Sequence, residues 1–109
     1  LVHGEARRRV REFFTQKTGG LIVPYTVGRF LTLDGKRTVS IGRSGVADDI
    51  ACLDGRYIAI ETKASDSDAQ KKDQKKYQAL VEKNGGLYII ADFRRGRDGL
   101  SAIEVALQC

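Results

Sequence analysis

A chain of 109 residues has room for one modest hydrophobic core. Hydrophobic residues at 41% and charged residues at 30% mark a soluble, globular class, and no apolar run approaches the roughly 20 residues that cross a bilayer. A formal charge of +5 and a pI of about 9.4 suit a polyanionic partner such as nucleic acid, and suit a solubilising surface equally well.

Histidine and cysteine usage narrows the chemistry further. His3 is the single histidine, which excludes His-cluster zinc sites and His-based triads. Cys52 and Cys109 stand far apart, which argues against a zinc knuckle or a disulfide and for a reducing, cytoplasmic setting.

Taken in chain order, residues 4–18 are predicted to form a helix, because Val2, Ala6, Val10, Phe13 and Phe14 recur at helical spacing and Gly19–Gly20 supplies a stop. "LIVPYTV" is extended, with Pro24 arguing for a sheet edge. "RFLTL-DG-KRTVSI" and "ADDIACL-DG-RYIAIETK" each predict a hairpin, since Asp-Gly suits a two-residue turn. "SDSDAQKKDQKKYQALVEKNGG" is predicted helical, with Ser and Asp at its start and Asn-Gly-Gly at its end. "LYIIAD" is a buried strand, "FRRGRDG" a basic loop, and "SAIEVAL" a last strand or short helix. The expected architecture is a single α/β domain over residues 1–109, in α-β-β-β-β-α-β order, with helices flanking one central sheet.

The second hairpin carries the functional signal. A two-residue turn at Asp54–Gly55 pairs Leu53 with Arg56 and Cys52 with Tyr57, and running that register on places Asp48 opposite Glu61. Directly opposed residues share a sheet face about 4.5–5.5 Å apart at Cβ. Alternation puts Lys63 on that same face and Asp49 on the other. Two carboxylates at ~5 Å repel by roughly 3 kcal/mol at an effective dielectric near 20. A shared proton or a divalent cation relieves this, and Mg²⁺ or Mn²⁺ suits an oxygen-only donor set. Taken alone, Glu61-x-Lys63 is a common surface charge pair; it is the Asp48 register that points to a site.

Two further residues border it. Glu5 opens the first helix, where a carboxylate is favoured by the helix dipole with no ligand role needed. Gln74 shares a line with Gln70, Tyr77 and Val81 and borders the inward side of the second helix, a position that suits a capping or surface glutamine equally well. The arginines 7, 8, 9 and 11 fall mostly away from the first helix's apolar stripe. Arg43, Lys71 and Lys75 are the candidate phosphate contacts, Arg43 standing nearest the chemistry. Tyr77, Phe13 and Phe14 are assigned to packing.

"SGVADDIACLDGRYIAIETKAS" followed by "KKDQKKYQALVEKNGGLYIIAD" resembles the virus-type replication–repair nuclease (VRR-NUC) domain. That domain belongs to the PD-(D/E)xK superfamily, which also holds Holliday-junction resolvases. Gly45, Val46, Asp48, Glu61, Lys63, Gln74 and Gly85–Gly86 match its pattern, and Glu5 fits an acidic position early in helix one. Ala47 stands where proline is frequent and Asp49 where an aliphatic residue is usual.

The resemblance implies a restriction-endonuclease-like core and a divalent-metal DNA endonuclease, structure-selective toward branched or four-way DNA. It also implies a homodimer and a bacterial, phage or prophage setting. Glu5, Asp48, Glu61 and the Thr62 carbonyl would hold Mg²⁺ or Mn²⁺. Lys63 would orient or deprotonate the attacking water, and Gln74 would hold Lys63 or the phosphate. A non-catalytic nucleic-acid-binding module on the same scaffold, or an RNA-cleaving relative, is the alternative.

Overall fold

The computed structural model describes residues 1–66 and 69–108; Cys109, and residues 67 and 68 of the predicted second helix's opening, lie outside them. The first helix, α1, runs His3–Thr18 and buries Ala6, Val10 and Phe14, one residue per turn. Val2 is the N-cap and is exposed, so the buried stripe starts at Ala6. Gly19 ends the helix in the left-handed conformation at φ 66° and donates to the Thr15 carbonyl.

Five strands follow: β1 Leu21–Pro24, β2 Gly28–Leu31, β3 Thr38–Ile41, β4 Asp49–Leu53 and β5 Arg56–Lys63. Then come α2 Lys72–Lys83, β6 Leu87–Asp92, a 3-10 turn at Arg94–Gly96, and α3 Gly99–Leu107. The expected order is thus one strand short, and the final segment is a helix.

The expected single sheet is also divided. The main sheet is mixed and four-stranded, in the order β1-β4-β5-β6; β2 and β3 pair with each other as a separate ribbon. The ribbon keeps the register an Asp34–Gly35 turn dictates, with Leu31 opposite Thr38, and Phe30, Leu31 and Leu33 on it are exposed. Among the described residues no strand of the main sheet pairs with it. Proline 24 sits on an edge strand, where its missing N–H costs no ladder bond.

β5 is the centre of the molecule. It pairs antiparallel with β4 and parallel with β6, and the parallel step requires a crossover, which α2 provides. One face of the sheet packs Ile58, Ile60 and Ile89 against Val10 and Phe14 of α1 and Ile103 of α3. The other packs Ala59 and Tyr88 against Val81 and Tyr77 of α2. With both faces covered, residues 58–63 are all buried, including Glu61, Thr62 and Lys63. Alternation puts Glu61 and Lys63 on the face of Ala59, beneath the start of α2.

α2 begins later than its Ser/Asp-rich prelude predicts. Ser65, Asp66 and Gln70 precede the helix; Lys71 is its N-cap, and the Lys71 N–H is taken by the Gln74 side chain. Gln70 bonds Gln78 from outside the helix.

Candidate metal and phosphodiester site

The Asp54–Gly55 turn, with both residues at positive φ, has the twist of a two-residue hairpin. It sets Leu53 against Arg56 and Asp49 against Ile60, the register read from the sequence. One step further, Asp48 and Glu61 clasp each other. The Asp48 N–H donates to Glu61 Oε1 at 3.1 Å, and the Thr62 N–H donates to Asp48 Oδ2 at 2.9 Å.

Lys63 Nζ lies 3.0 Å from Glu61 Oε2 and 3.2 Å from Gln74 Oε1, and the Gln74 amide donates to Glu61 Oε2 at 2.7 Å. Gln74 therefore binds both members of a buried ion pair. It is held there by Gly45, at φ 85°, where a Cβ would come within 2.8 Å of the Asp73 backbone. Only glycine lets this segment close on the start of α2, and Ser44 then donates to Asp73 at 2.7 Å.

Burial raises the Glu61 carboxyl above its usual range, the neighbouring Asp48 adds to this, and Lys63 pulls the other way without cancelling them. On the opposite face Asp49 is fully buried, and desolvation raises it too, against the opposing pull of Arg11 and Arg7. Arg11 donates to Asp49 at 3.1 Å. The acidic residue that departs from the resemblance thus has a structural partner on α1.

α1 contributes more than the sequence suggests. Arg7 donates to the Asp48 carbonyl, while its Nε lies 3.8 Å from Asp48 Oδ1 and 3.7 Å from Asp49 Oδ2, buried and with no hydrogen-bond partner among the described residues. Arg7 and Arg11, expected mostly away from the apolar stripe, thus both reach the Asp48–Asp49 segment. His3 Nε2 lies 3.0 Å from the Thr62 carbonyl oxygen and 3.3 Å from Asp48 Oδ2.

Glu5, expected among the ligands, is turned to Arg9 at 3.3 Å and Arg8 at 3.7 Å. Residues two apart on a helix diverge by roughly 200° at 3.6 residues per turn. A helix that aims His3 at Asp48 therefore aims Glu5 elsewhere, and brings Arg7, four residues on, to the same side.

A cleft of about 330 Å³ opens over these groups, lined among others by Arg7, Tyr25, Asp48, Glu61, Lys71 and Gln74. Of the candidate phosphate contacts, Lys71 lines it. Arg43 is exposed, its guanidinium 5.8 Å from the centre of the Tyr77 ring, beside the cleft residue Ser44. Lys75 is exposed on α2, outside the cleft lining.

Among the described residues no three His, Cys, Asp or Glu side chains form a metal-holding group. The donors here are of mixed kind: two carboxylates that repel, a main-chain carbonyl and an imidazole. That set fits a divalent cation, whose charge would offset the repulsion. Among the described residues no helix is long and apolar enough to cross a membrane. The chain matches no family model and no curated protein.

Proposed function

We propose that the chain is a divalent-metal-dependent endonuclease on a restriction-endonuclease-like core, acting on DNA phosphodiester bonds. The observation that carries this reading is the buried Glu61–Lys63–Gln74 network beside Asp48, at the wall of an open cleft. Burying an ion pair costs more than an apolar pair of the same size, so a charged network at a cleft suggests chemistry. Its residue types and order match those of the VRR-NUC pattern.

Asp48, Glu61 and the Thr62 carbonyl would hold Mg²⁺ or Mn²⁺. Bound there, the ion would lower the pKa of a water and offset charge gathering on the phosphate. Lys63, held by Glu61 and Gln74, orients the attacking water and stabilises the developing negative charge. Arg7 and Lys71, both in the cleft lining, receive the phosphate backbone. Water adds to phosphorus, the bond to the leaving sugar oxygen breaks, and that oxygen takes up a proton. The +5 charge favours approach of a polyanion.

The proposed mode is structure selectivity through a two-fold dimer, because symmetric cuts in a four-way junction call for two sites. The exposed Phe30, Leu31 and Leu33 of the β2–β3 ribbon, and the open edge of β1, offer surfaces for self-association.

The test is cleavage of four-way, linear duplex and RNA substrates with and without Mg²⁺ or Mn²⁺. Metal-dependent cutting is expected, strongest on branched DNA and abolished by Lys63→Ala. A Lys63→Ala protein that cuts as fast as the parent refutes the mechanism. Salt-sensitive binding without cutting, indifferent to Asp48→Ala, would identify a binding module.

A further inference from the structure

We infer that His3 is a nitrogen ligand of the cation held by Asp48 and the Thr62 carbonyl, and that it biases the site toward Mn²⁺ over Mg²⁺. The inference rests on the reading of Asp48 and Glu61 as a metal site and goes beyond it. Composition excludes a histidine cluster and leaves a single imidazole ligand open, and the resemblance points to Glu5 at the acidic position of helix one. Glu5 is engaged by Arg8 and Arg9, while the His3 ring enters the site from the first turn of α1.

Distances support the assignment. His3 Nε2 stands 3.0 Å from the Thr62 carbonyl oxygen and 3.3 Å from Asp48 Oδ2. Ligands bonded at about 2.0–2.2 Å and at right angles to one another sit roughly 3 Å apart. As they stand these are a hydrogen bond to the Thr62 carbonyl and an ion-pair contact with Asp48, and the same separations suit neighbouring ligands around one small cation. Three separate parts of the chain deliver the donors: the start of α1, the approach to β4, and the end of β5. The Nε2 that points at both oxygens is also the atom that would bind. Thr62 presents N–H and C=O on the side where β4 ends, so the carboxylate takes the first and the imidazole meets the second.

Ligand chemistry sets the preference. Mg²⁺ favours oxygen ligands and retains water, whereas imidazole raises affinity for later divalent metals. Swapping an acidic ligand for His3 removes a negative charge, which weakens the site for either ion, and adds a softer nitrogen donor, which is what disfavours Mg²⁺ relative to Mn²⁺.

Because His3 is the only histidine, labelling with ¹⁵N-histidine marks a single site in the full chain, purified without a histidine tag. Pulsed electron paramagnetic resonance on the Mn²⁺-loaded protein is expected to show nitrogen modulation that changes from ¹⁴N to ¹⁵N character with that label. In calorimetric titrations with MnCl₂ and MgCl₂, His3→Ala should weaken Mn²⁺ by at least the roughly 10–100-fold that losing an outer-sphere partner costs. Mg²⁺ affinity should change far less. Parent protein that binds Mn²⁺ with no label-sensitive modulation overturns the inference whether or not the variant folds. A Mn²⁺-to-Mg²⁺ ratio unchanged in His3→Ala also overturns it, and if Asp48→Asn still abolishes binding, the carboxylate site survives that failure. If the parent takes up neither ion, the metal site falls and His3 with it.

Discussion

The Lys63–Glu61 pair makes a demanding stability prediction. Its charged atoms are 3.0 Å apart, and the two side chains are 2% and 5% exposed. At an effective dielectric near 20 the attraction is about 5 kcal/mol, and several kcal/mol of desolvation per ion offsets most of it. The pair as a whole therefore contributes little, yet removing one member leaves an uncompensated buried charge. Lys63→Met should cost about 3–5 kcal/mol. The lower end is expected, because the Gln74 amide and the Asp48 N–H still bond Glu61, and the carboxyl can escape by taking a proton. Lys63→Met/Glu61→Gln removes the stranded charge and keeps an acceptor for the Asp48 N–H, so it should recover most of the loss while remaining inactive. Urea melts near neutral pH, followed by circular dichroism, measure all three proteins. A Lys63→Met protein within about 1 kcal/mol of the parent, or a double variant no more stable than the single, would refute a charged, buried pair.

Gly45→Ala should destabilise by about 1–3 kcal/mol through strain at φ 85° and contact with Asp73, and by displacing Gln74 it should lower cleavage beyond the stability loss; melts and single-turnover cutting separate the two. Arg11→Met leaves the fully buried Asp49 with Arg7 as its remaining cation among the described residues, and should cost about 2–3 kcal/mol in the same melts. Asp92 is held well below the usual carboxylate range by Arg94, with Arg97 adding a hydrogen bond. The stability this contributes is present above the unfolded value of 3.8 and is lost as pH falls through the lower folded value. Asp92→Asn should therefore lie about 1 kcal/mol below the parent near neutral pH, and the gap should close in strongly acidic melts.

Local chemistry made the second hairpin legible. Once Asp54–Gly55 is a two-residue turn, every pairing from Leu53–Arg56 outward follows, and alternation separates Asp48 from Asp49 without tertiary knowledge. Gln74 was legible for a similar reason, as an inward-bordering residue of a periodic helix. Helix α2 was misjudged at its start because Ser and Asp favour caps wherever they stand, while the N–H at Lys71 is satisfied by Gln74 from within the helix. The free ribbon was hidden because hairpin signals set local pairing and leave sheet membership to packing.

His3 and Arg7 were missed for a deeper reason. How α1 rolls on the sheet determines which of its polar residues reach the ends of β4 and β5, and the apolar stripe constrains that roll only loosely. A signal did exist: Arg7 and Arg11 are four apart and flank the buried Ala6–Val10–Phe14 line, and a buried Asp49 needed cations from somewhere.

The most direct measurement is a crystal structure grown in Mn²⁺, read by its anomalous signal. The expected result is a peak about 2.2 Å from Asp48 Oδ2 and the Thr62 carbonyl oxygen, with Glu61 facing it and Lys63 still bound to Glu61 and Gln74. A protein saturated with the ion that shows no peak between Asp48 and Thr62, or shows it only at surface carboxylates, contradicts the assignment of this cleft as a metal-dependent phosphodiester site.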